Sequence, residues 1–235
     1  MLNASIIITT WCRKEMLKKI IENLIYGSFR SNKYEIIVCD SHSQDGTEKL
    51  VKSFISKYPK SNIKIVHANN SIAFKRNAGI RESIGKYLIF IDDDCLPEND
   101  FIAKHVNFLK SCKIKSIVGG LVLYPEISLF LSKSYVRYKK SRHHLSNQLS
   151  GSSYTNPNQI VAMNLCVKKK DIIADKLYFN EKIASYGLED YDYAKRCIMK
   201  GYKLYINDAI IYHYEIKANF KSFSNKISEL SNKAM

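Results

Sequence analysis

The sequence predicts an α/β protein built on a doubly wound, mostly parallel central sheet flanked by helices. The first strand-like run, Ser5–Thr9, shows no polar alternation, which is typical of a strand covered on both faces. The next segment, Glu15–Ser28, carries apolar residues at helical spacing. This alternation continues up to a fourth strand, Tyr87–Ile91. A β-α-β-α-β-α-β order favours a parallel sheet between two helical layers.

The remaining predicted elements follow in order through one domain, since neither repeats nor a clear linker interrupt the chain. Before Tyr87 they are strand Glu35–Cys39, helix Glu48–Tyr58, strand Ile63–His67 and helix Ser71–Ile84. After it come helix Phe101–Ser111, strand Ile117–Tyr124, a strand-like pattern at Ile160–Lys168, helix Glu189–Lys200 ended by Gly201, and short strands Lys203–Ile206 and Ala209–Tyr212. Glu126–Asn158 has no clean period.

Composition limits the partners and the compartment. The formal net charge of +15 indicates anionic partners, either nucleic acid, a membrane surface or phosphorylated substrates, without choosing among them. Six cysteines without a CxxC pair favour reduced thiols in a cytosolic protein. No apolar run is long enough to span a bilayer, and no signal region opens the chain. We therefore expect a cytoplasmic protein, peripheral to a membrane at most.

Three consecutive carboxylates, Asp92, Asp93 and Asp94, follow the fourth predicted strand. A buried strand cannot carry three charges in a row, so they must lie at its carboxyl end, where open α/β sheets bind ligands. Neighbouring carboxylates repel each other unless a cation lies between them, and oxygen ligands suit Mg²⁺ or Mn²⁺. Because side chains alternate along a strand, we expect Asp92 and Asp94 to reach one ion or ligand while Asp93 points away. A merely solvated acidic turn is the alternative.

Five stretches of the chain, in this order, resemble the family-2 glycosyltransferases with the GT-A fold. They are SIIITTWCR, EIIVCDSHSQDGT, FKRNAGIRESIGKYLIFIDDD with the DXD strand, YGLEDYDYAKRCIMKGYKL and DAIIYHYE. The second strand reads CDSHS where an acidic pair and glycine are commoner, and Thr9 stands where proline is usual. The resemblance implies an inverting, metal-dependent transfer from a nucleotide-diphosphate sugar, a UDP-sugar by family frequency, with Mn²⁺ or Mg²⁺ as cofactor. The expected acceptor is a hydroxyl of a glycan or lipid-linked molecule in bacterial-type surface polysaccharide or glycoconjugate synthesis.

The resemblance also divides the chain and implies roles on the donor side. Residues 1–97 would bind the nucleotide sugar, residues 98–215 the acceptor, and residues 216–235 would form a basic tail. The implied donor-site residues are Asp92 at the ribose and metal, Asp93 beside it, Asp94 and His213 at the metal, Asp40 at the base, and Thr9 and Thr10 lining the pocket. Trp11 would stack on the nucleotide or pack in the core. Arg76 would face the phosphates or lie on a solvated helix face.

The acceptor hydroxyl requires a general base, and Glu189 and Asp190 stand at a predicted helix start. Acidic residues at a helix start also interact favourably with the helix dipole, so one carboxylate alone would not indicate a catalytic base. By resemblance, Asp190 is expected to be the base and Glu189 a supporting acceptor-binding residue.

Two other functions compete with this interpretation. A sugar-1-phosphate nucleotidyltransferase would need a glycine-rich loop, and SIIITTWCRKE contains no glycine. A basic nucleic-acid- or membrane-binding module without catalysis is compatible with the charge. However, the basic run 137–144 lacks a recognised motif, so no nucleic-acid partner is expected. Lysines around apolar residues in the tail would either bind an anionic membrane surface or be solvated while the tail packs on the domain.

Overall fold

The computed structural model describes residues 2–29, 33–131, 134–140, 153–154, 156–183 and 188–214. Its strands are β1 Ala4–Thr10, β2 Tyr34–Asp40, β3 Ile63–His67, β4 Tyr87–Asp92, β5 Cys95–Pro97, β6 Ser116–Leu123, β7 Ser153–Tyr154, β8 Asn164–Lys168 and β9 Lys203–His213. Its helices are α1 Lys14–Tyr26, α2 Thr47–Lys57, α3 Ile72–Glu82, α4 Phe101–Ser111, α5 Glu126–Leu131, α6 at 134–140, α7 Lys169–Ala174 and α8 Leu188–Met199. Short 3₁₀ turns cover Pro59–Ser61 and Pro157–Gln159.

The strands form a single sheet in the order β3-β2-β1-β4-β8-β6-β9-β5, with β7 also paired to β9. The first four strands are parallel, as predicted. The second half is mixed, because β8 runs antiparallel to β4 and β6 whereas β6 and β9 are parallel. The predicted α/β class and its flanking helices are confirmed, and the central strand β1 lies between β2 and β4.

Two apolar layers cover the sheet, and the alternation of isoleucines along β1 separates them. Ile6 and Ile8 pack with the buried faces of α1, α2 and α4. Ile7 packs on the opposite face with residues of α3, α7 and α8. Every residue of β1 and β2 is buried, which explains why their sequences carry no polar alternation.

The parallel register brings three strand ends to one edge of the sheet. Thr10 of β1 lies opposite Asp40 of β2, and Thr9 lies opposite Asp92 of β4. The loops after these strands therefore surround one opening, which is where the sequence predicts a ligand site. Asp45 fastens two helices there, because its carboxylate accepts from the backbone N–H of Thr47 (3.1 Å) and of Lys14 (2.8 Å).

The second half contains the errors of the sequence prediction. The two short strands predicted around Asn207 are one strand, β9, whose register against β6 shifts between Gly119 and Leu121. The break in the apolar pattern around Asn207 coincides with this irregularity, and the polar Asn207 lies buried inside the sheet. The pattern at Ile160–Lys168 yields a strand only from Asn164. Strand β5 and helix α7 were not predicted. The prediction that Gly201 ends α8 is confirmed by its positive φ of 81°.

Among the described residues, no helix combines the length and the apolar character that crossing a bilayer requires. The predicted basic tail, residues 216–235, lies outside the described residues, as does the second half of the basic run. On α6, Arg137 and Lys140 are exposed whereas Lys139 is buried against the ring of Tyr135. At least one lysine of the basic run is therefore part of the folded domain.

Candidate active site

Side chains from the end of β1 bind the carboxylates at the end of β4. Thr9 Oγ1 donates to Asp92 Oδ1 (3.0 Å), and Thr10 Oγ1 donates to Asp93 Oδ2 (2.9 Å). The backbone N–H of Trp11 donates to the same Asp93 oxygen at 3.1 Å. The structure therefore brings the predicted Thr9 and Thr10 to the acidic triplet. The indole of Trp11 is 53% exposed, so it is not a core residue, and stacking on a nucleotide stays a prediction.

Asp93 is a buried anchor of the turn that follows β1. Arg13, which sequence reasoning missed, donates from Nη1 to Asp93 Oδ1 (2.9 Å) and to Asp94 Oδ2 (2.5 Å). Burial raises the pKa of Asp93 to about 6, while Arg13 opposes that rise and Asp94 adds to it. The Asp93 carboxylate faces the end of β1, and the prediction that it binds the nucleotide sugar remains untested.

Arg76 joins the two acidic regions of the chain. Its Nη2 donates to Asp92 Oδ1 at 3.1 Å, and its Nη1 donates to Asp190 Oδ1 at 2.8 Å and to Glu189 Oε1 at 3.4 Å. The guanidinium also lies 5.1 Å from the ring centroid of Phe179. Arg76 is fully buried, so the interpretation of a solvated helix face is wrong. A direct contact with phosphates stays a prediction, because the terminal nitrogens already bind carboxylates.

Asp190, the predicted base, lies in the first turn of α8. Its Oδ2 accepts from the backbone N–H of Ala162 at 3.1 Å, and its other oxygen binds Arg76. Burial raises the pKa of Asp190; Arg76 opposes the rise and the Asp92 carboxylate adds to it. The neighbouring Glu189 is buried and contacts the same guanidinium. Residues more than a hundred positions apart thus form one group, the charged cluster: Arg13, Arg76, Asp92, Asp93, Asp94, Glu189 and Asp190.

A set of possible metal ligands adjoins this cluster. Asp94, Cys95 and His213 each offer one ligand atom, and these atoms lie within 4.8 Å of one another. Asp94 Oδ1 is 3.4 Å from His213 Nε2 and 3.4 Å from Cys95 Sγ. Burial alone would raise the pKa of Asp94, but the neighbouring His213 and Arg13 hold it well below its ordinary range. An oxygen, a nitrogen and a sulfur at these distances fit a divalent cation.

This set differs from the predicted one in two members. Asp94 and His213 are brought together as expected, but Asp92 is not part of the set; Thr9 and Arg76 bind its Oδ1. Direct ligation of a cation by Asp92 therefore stays a prediction. Cys95 was not predicted as a ligand. Its only signal in the sequence is its position directly after the acidic triplet, whereas its partner His213 comes from the end of β9.

Asp40 lies at the carboxyl end of β2, opposite Thr10, which is where the sequence predicts the base-binding residue. Its carboxylate is completely buried, and its two oxygens accept from the Ser43 hydroxyl at 2.5 Å and the Ser43 N–H at 2.9 Å. Ser43 Oγ in turn accepts from the backbone N–H of Cys12 at 2.7 Å. Asp40 therefore shapes the turn after β2 and ties it to the turn after β1. Contact with a nucleobase stays a prediction.

The doubly wound fold, with an acidic cluster at the ends of its parallel strands, is of the GT-A type. The sequence model for Glycosyl transferase family 2 matches residues 5–164, and the chain belongs to this family. Glycosyltransferase AglE of Haloferax volcanii is 28% identical over 212 residues, covering 89% of this chain and 66% of that protein. A dolichyl N-acetyl-alpha-D-glucosaminyl phosphate 3-beta-D-2,3-diacetamido-2,3-dideoxy-beta-D-glucuronosyltransferase of Methanococcus voltae is 24% identical over 234 residues, covering 93% of this chain and 68% of that protein.

Solved structures show the same fold. The Pyrobaculum calidifontis mannosyltransferase in complex with GDP-Man and Mn²⁺ has a TM-score of 0.72 at 19% identity, covering 95% of this chain and 60% of that one. Staphylococcus aureus TarS residues 1–349 with UDP-GlcNAc has a TM-score of 0.64 at 14% identity, covering 93% and 58%. The present chain thus spans somewhat less than two thirds of AglE and of both solved proteins.

Proposed function

We propose that this chain transfers a sugar from a nucleotide-diphosphate sugar to a hydroxyl group, with a divalent cation at Asp94 and His213 and with Asp190 as the base. The observation that carries the proposal is the bridge made by Arg76. One guanidinium binds both Asp92, the last residue of the donor-side strand β4, and Asp190, the candidate base. A base and a leaving-group site must lie within one substrate's reach of each other, and this bridge supports that requirement.

The residues support a single displacement. The acceptor oxygen would attack the anomeric carbon as its proton passes to Asp190, while the bond from that carbon to the diphosphate breaks. Attack opposite the leaving group inverts the configuration. The raised pKa of Asp190 suits a proton acceptor, because burial and Asp92 disfavour its charged form. A divalent cation, when bound, offsets the negative charge that develops on the departing diphosphate. Arg13 lies on the same side, with its side chain about half exposed (50%), and adds a second positive charge.

The substrates are proposed only by class. A UDP-sugar is the first donor to test, and TarS with UDP-GlcNAc supports it, whereas the mannosyltransferase with GDP-Man supports a GDP-sugar as the second. The Methanococcus voltae relative is named for a dolichyl-phosphate-linked sugar acceptor, which supports a lipid-linked glycan. The net charge of +15 suits such an anionic acceptor or a membrane surface carrying it, and the proposed reaction is one at the cytoplasmic side of a membrane.

A donor panel tests the proposal. The full chain is incubated with UDP- and GDP-sugars and Mn²⁺, and released nucleotide is measured with and without glycan acceptors. Asp190→Asn should reduce transfer by about 10²–10⁴-fold, the usual worth of a general base, and leave nucleotide binding intact. Asp94→Ala should abolish both transfer and the metal-dependent stabilisation by the nucleotide, since the diphosphate then lacks its cation.

Asp192→Asn provides the matched control on the same helix. Asp192 pairs with Arg196 on the outer face of α8, at 2.7 Å, so its removal should leave transfer near the wild-type rate. Near-normal transfer by a folded Asp190→Asn protein would contradict the assignment of the base. If Glu189→Gln alone were inactive, the roles of the two carboxylates would have to be exchanged.

A further inference from the structure

Cys95 and His213 lie directly opposite each other in the antiparallel pair β5–β9. Residues opposite each other in such a pair present their side chains on the same face of the sheet. A backbone hydrogen bond from Tyr214 N–H to the carbonyl of Asp94, at 2.9 Å, extends the pairing by one residue before the start of β5 and after the end of β9. Backbone pairing therefore fixes the cysteine, the histidine and the adjacent Asp94 side by side.

The two distances from Asp94 Oδ1 to the other ligand atoms match those around a four-coordinate cation. Asp94 Oδ1 lies 3.4 Å from both the sulfur and the histidine Nε2, and all three atoms lie within 4.8 Å of one another. Tetrahedral zinc with ordinary bond lengths places such ligand atoms about 3.3–3.6 Å apart. Asp94 contributes Oδ1 to this set and gives Oδ2 to Arg13, so the ion pair with Arg13 can persist when a cation binds.

We propose that Cys95 is the third protein ligand of the cation at Asp94 and His213, and that its sulfur makes the site prefer Zn²⁺, Co²⁺ and Cd²⁺ over Mg²⁺. Thiolate and imidazole select such cations, whereas Mg²⁺ demands an octahedral shell of oxygens. When the metal–sulfur bond forms, the S–H bond breaks, the sulfur keeps the electron pair and the proton passes to solvent. This inference rests on the proposed function only in placing a cation at Asp94 and His213.

The ordinary role of a buried cysteine is that of a small apolar side chain, and Cys95 has to be distinguished from it. Cys166 illustrates that role, because it is completely buried and packs in the same apolar layer as Cys95. Cys95 differs because its sulfur contacts a carboxylate oxygen and lies near an imidazole nitrogen. Within the described part of the chain, this is the group in which three such ligand atoms come together.

The test measures metal binding rather than activity. The full chain carrying Cys12→Ser, which removes the exposed thiol, is titrated with Co²⁺ and Cd²⁺, and the sulfur-to-metal charge-transfer absorption is recorded. We expect the band to saturate at one equivalent of metal, both in this protein and in the matched control Cys166→Ser. The band should be lost in Cys95→Ser and in His213→Ala. Cys95→Ser should weaken Cd²⁺ binding by about 10–100-fold or more and leave Mg²⁺ binding unchanged.

Two results would overturn the proposal: a band that persists in Cys95→Ser, or a metal-saturated protein without a band. Cadmium NMR of the unsubstituted protein gives the same answer without relying on the folding of a variant, because a sulfur ligand shifts the resonance far downfield. Nucleotide release from a donor sugar, measured in parallel with Mn²⁺, separates this inference from the proposed function. Release without any sulfur signature would refute Cys95 as a ligand and leave the transferase function standing.

Discussion

The charged cluster at the open end of the parallel strands contrasts with a neutral network buried in the second half. We define the neutral network as His105, Asn164 and Asn207, which come from α4, β8 and β9. His105 Nε2 contacts Asn164 Oδ1 at 2.8 Å, and Asn207 Nδ2 contacts His105 Nδ1 at 3.3 Å. Since Asn207 donates to Nδ1, the imidazole is neutral and donates from Nε2. Asn164 Nδ2 donates to the carbonyls of Leu121 and Ala209, at 3.0 Å each.

The two regions use buried polar atoms for different purposes. The neutral network holds β6 and β9 together where their register shifts, so it fixes the shape of the sheet that carries His213. Neutral hydrogen bonds achieve this without the cost of desolvating a charge. The charged cluster carries that cost, as the proposed binding of a cation and a diphosphate would require. Buried charges are tolerated there only because nearly every one has an opposite partner.

The largest expected effect breaks the charged cluster. Arg76→Met largely keeps the length of the side chain but leaves Asp92, Glu189 and Asp190 without the guanidinium that they share. Unpairing a buried charge costs about 3–5 kcal/mol of unfolding free energy, which urea denaturation at neutral pH would measure. The difference in unfolding free energy between wild type and variant should shrink as the pH falls, because protonated carboxylates carry no charge for a guanidinium to balance.

Arg81→Met is the control for that substitution. Arg81 lies on the same helix with an exposed side chain, and its contact with Glu181 is 3.8 Å. Its loss should cost less than about 1 kcal/mol. Equal effects of the two substitutions would show that the charged cluster is no more important to stability than a surface ion pair.

A somewhat smaller effect is expected from the neutral network. Asn164→Leu leaves two buried carbonyls and the N–H of His105 without partners. We expect a loss of about 3 kcal/mol in unfolding free energy, whereas Asn158→Leu, at an exposed position, should change little. Unlike the Arg76 deficit, this loss should not diminish between pH 7 and pH 6, because no carboxylate is involved. A loss that shrinks in the same way would remove the contrast between the two regions.

The smallest effect appears only as a pH dependence. Burial lowers the pKa of His105 to about 4, against about 6.5 in an unfolded chain. Because the pKa of His105 is lower in the folded protein, the unfolded chain binds a proton first as the pH falls. The neutral His105 therefore contributes its full share to the unfolding free energy above pH 6.5, and this share is lost as the pH falls towards 4. At pH 5 the loss is about 2 kcal/mol. His105→Gln cannot titrate, so the gap in stability between wild type and variant should narrow by that amount between pH 7 and pH 5. Parallel profiles would mean that His105 is not held neutral.

The sequence alone determined the local features of this protein. Apolar runs without alternation identify β1, β2 and β4, because period and burial are properties of neighbouring residues. Charge identifies the end of β4, since three consecutive carboxylates cannot continue a buried strand, and Asp92 is its last residue. The family pattern then supplied Asp190 and His213 as candidates. Within the second half, the strand register was not recoverable, because Asn207 resembles a turn signal although its side chain is buried and bonds the distant His105 as well as the N–H of Ala209.

Only the tertiary structure decided which of these residues meet. Arg76 reads as a surface residue of a helix, yet it is buried because Asp92 and Asp190 converge on it from separate elements. Cys95 reads as a core thiol, yet the β5–β9 pairing places it beside His213. Sequence patterns encode exposure and period over a few residues, whereas ion pairs and ligand sets depend on the register between strands that are far apart in the chain. That register is set by the packing of the whole sheet.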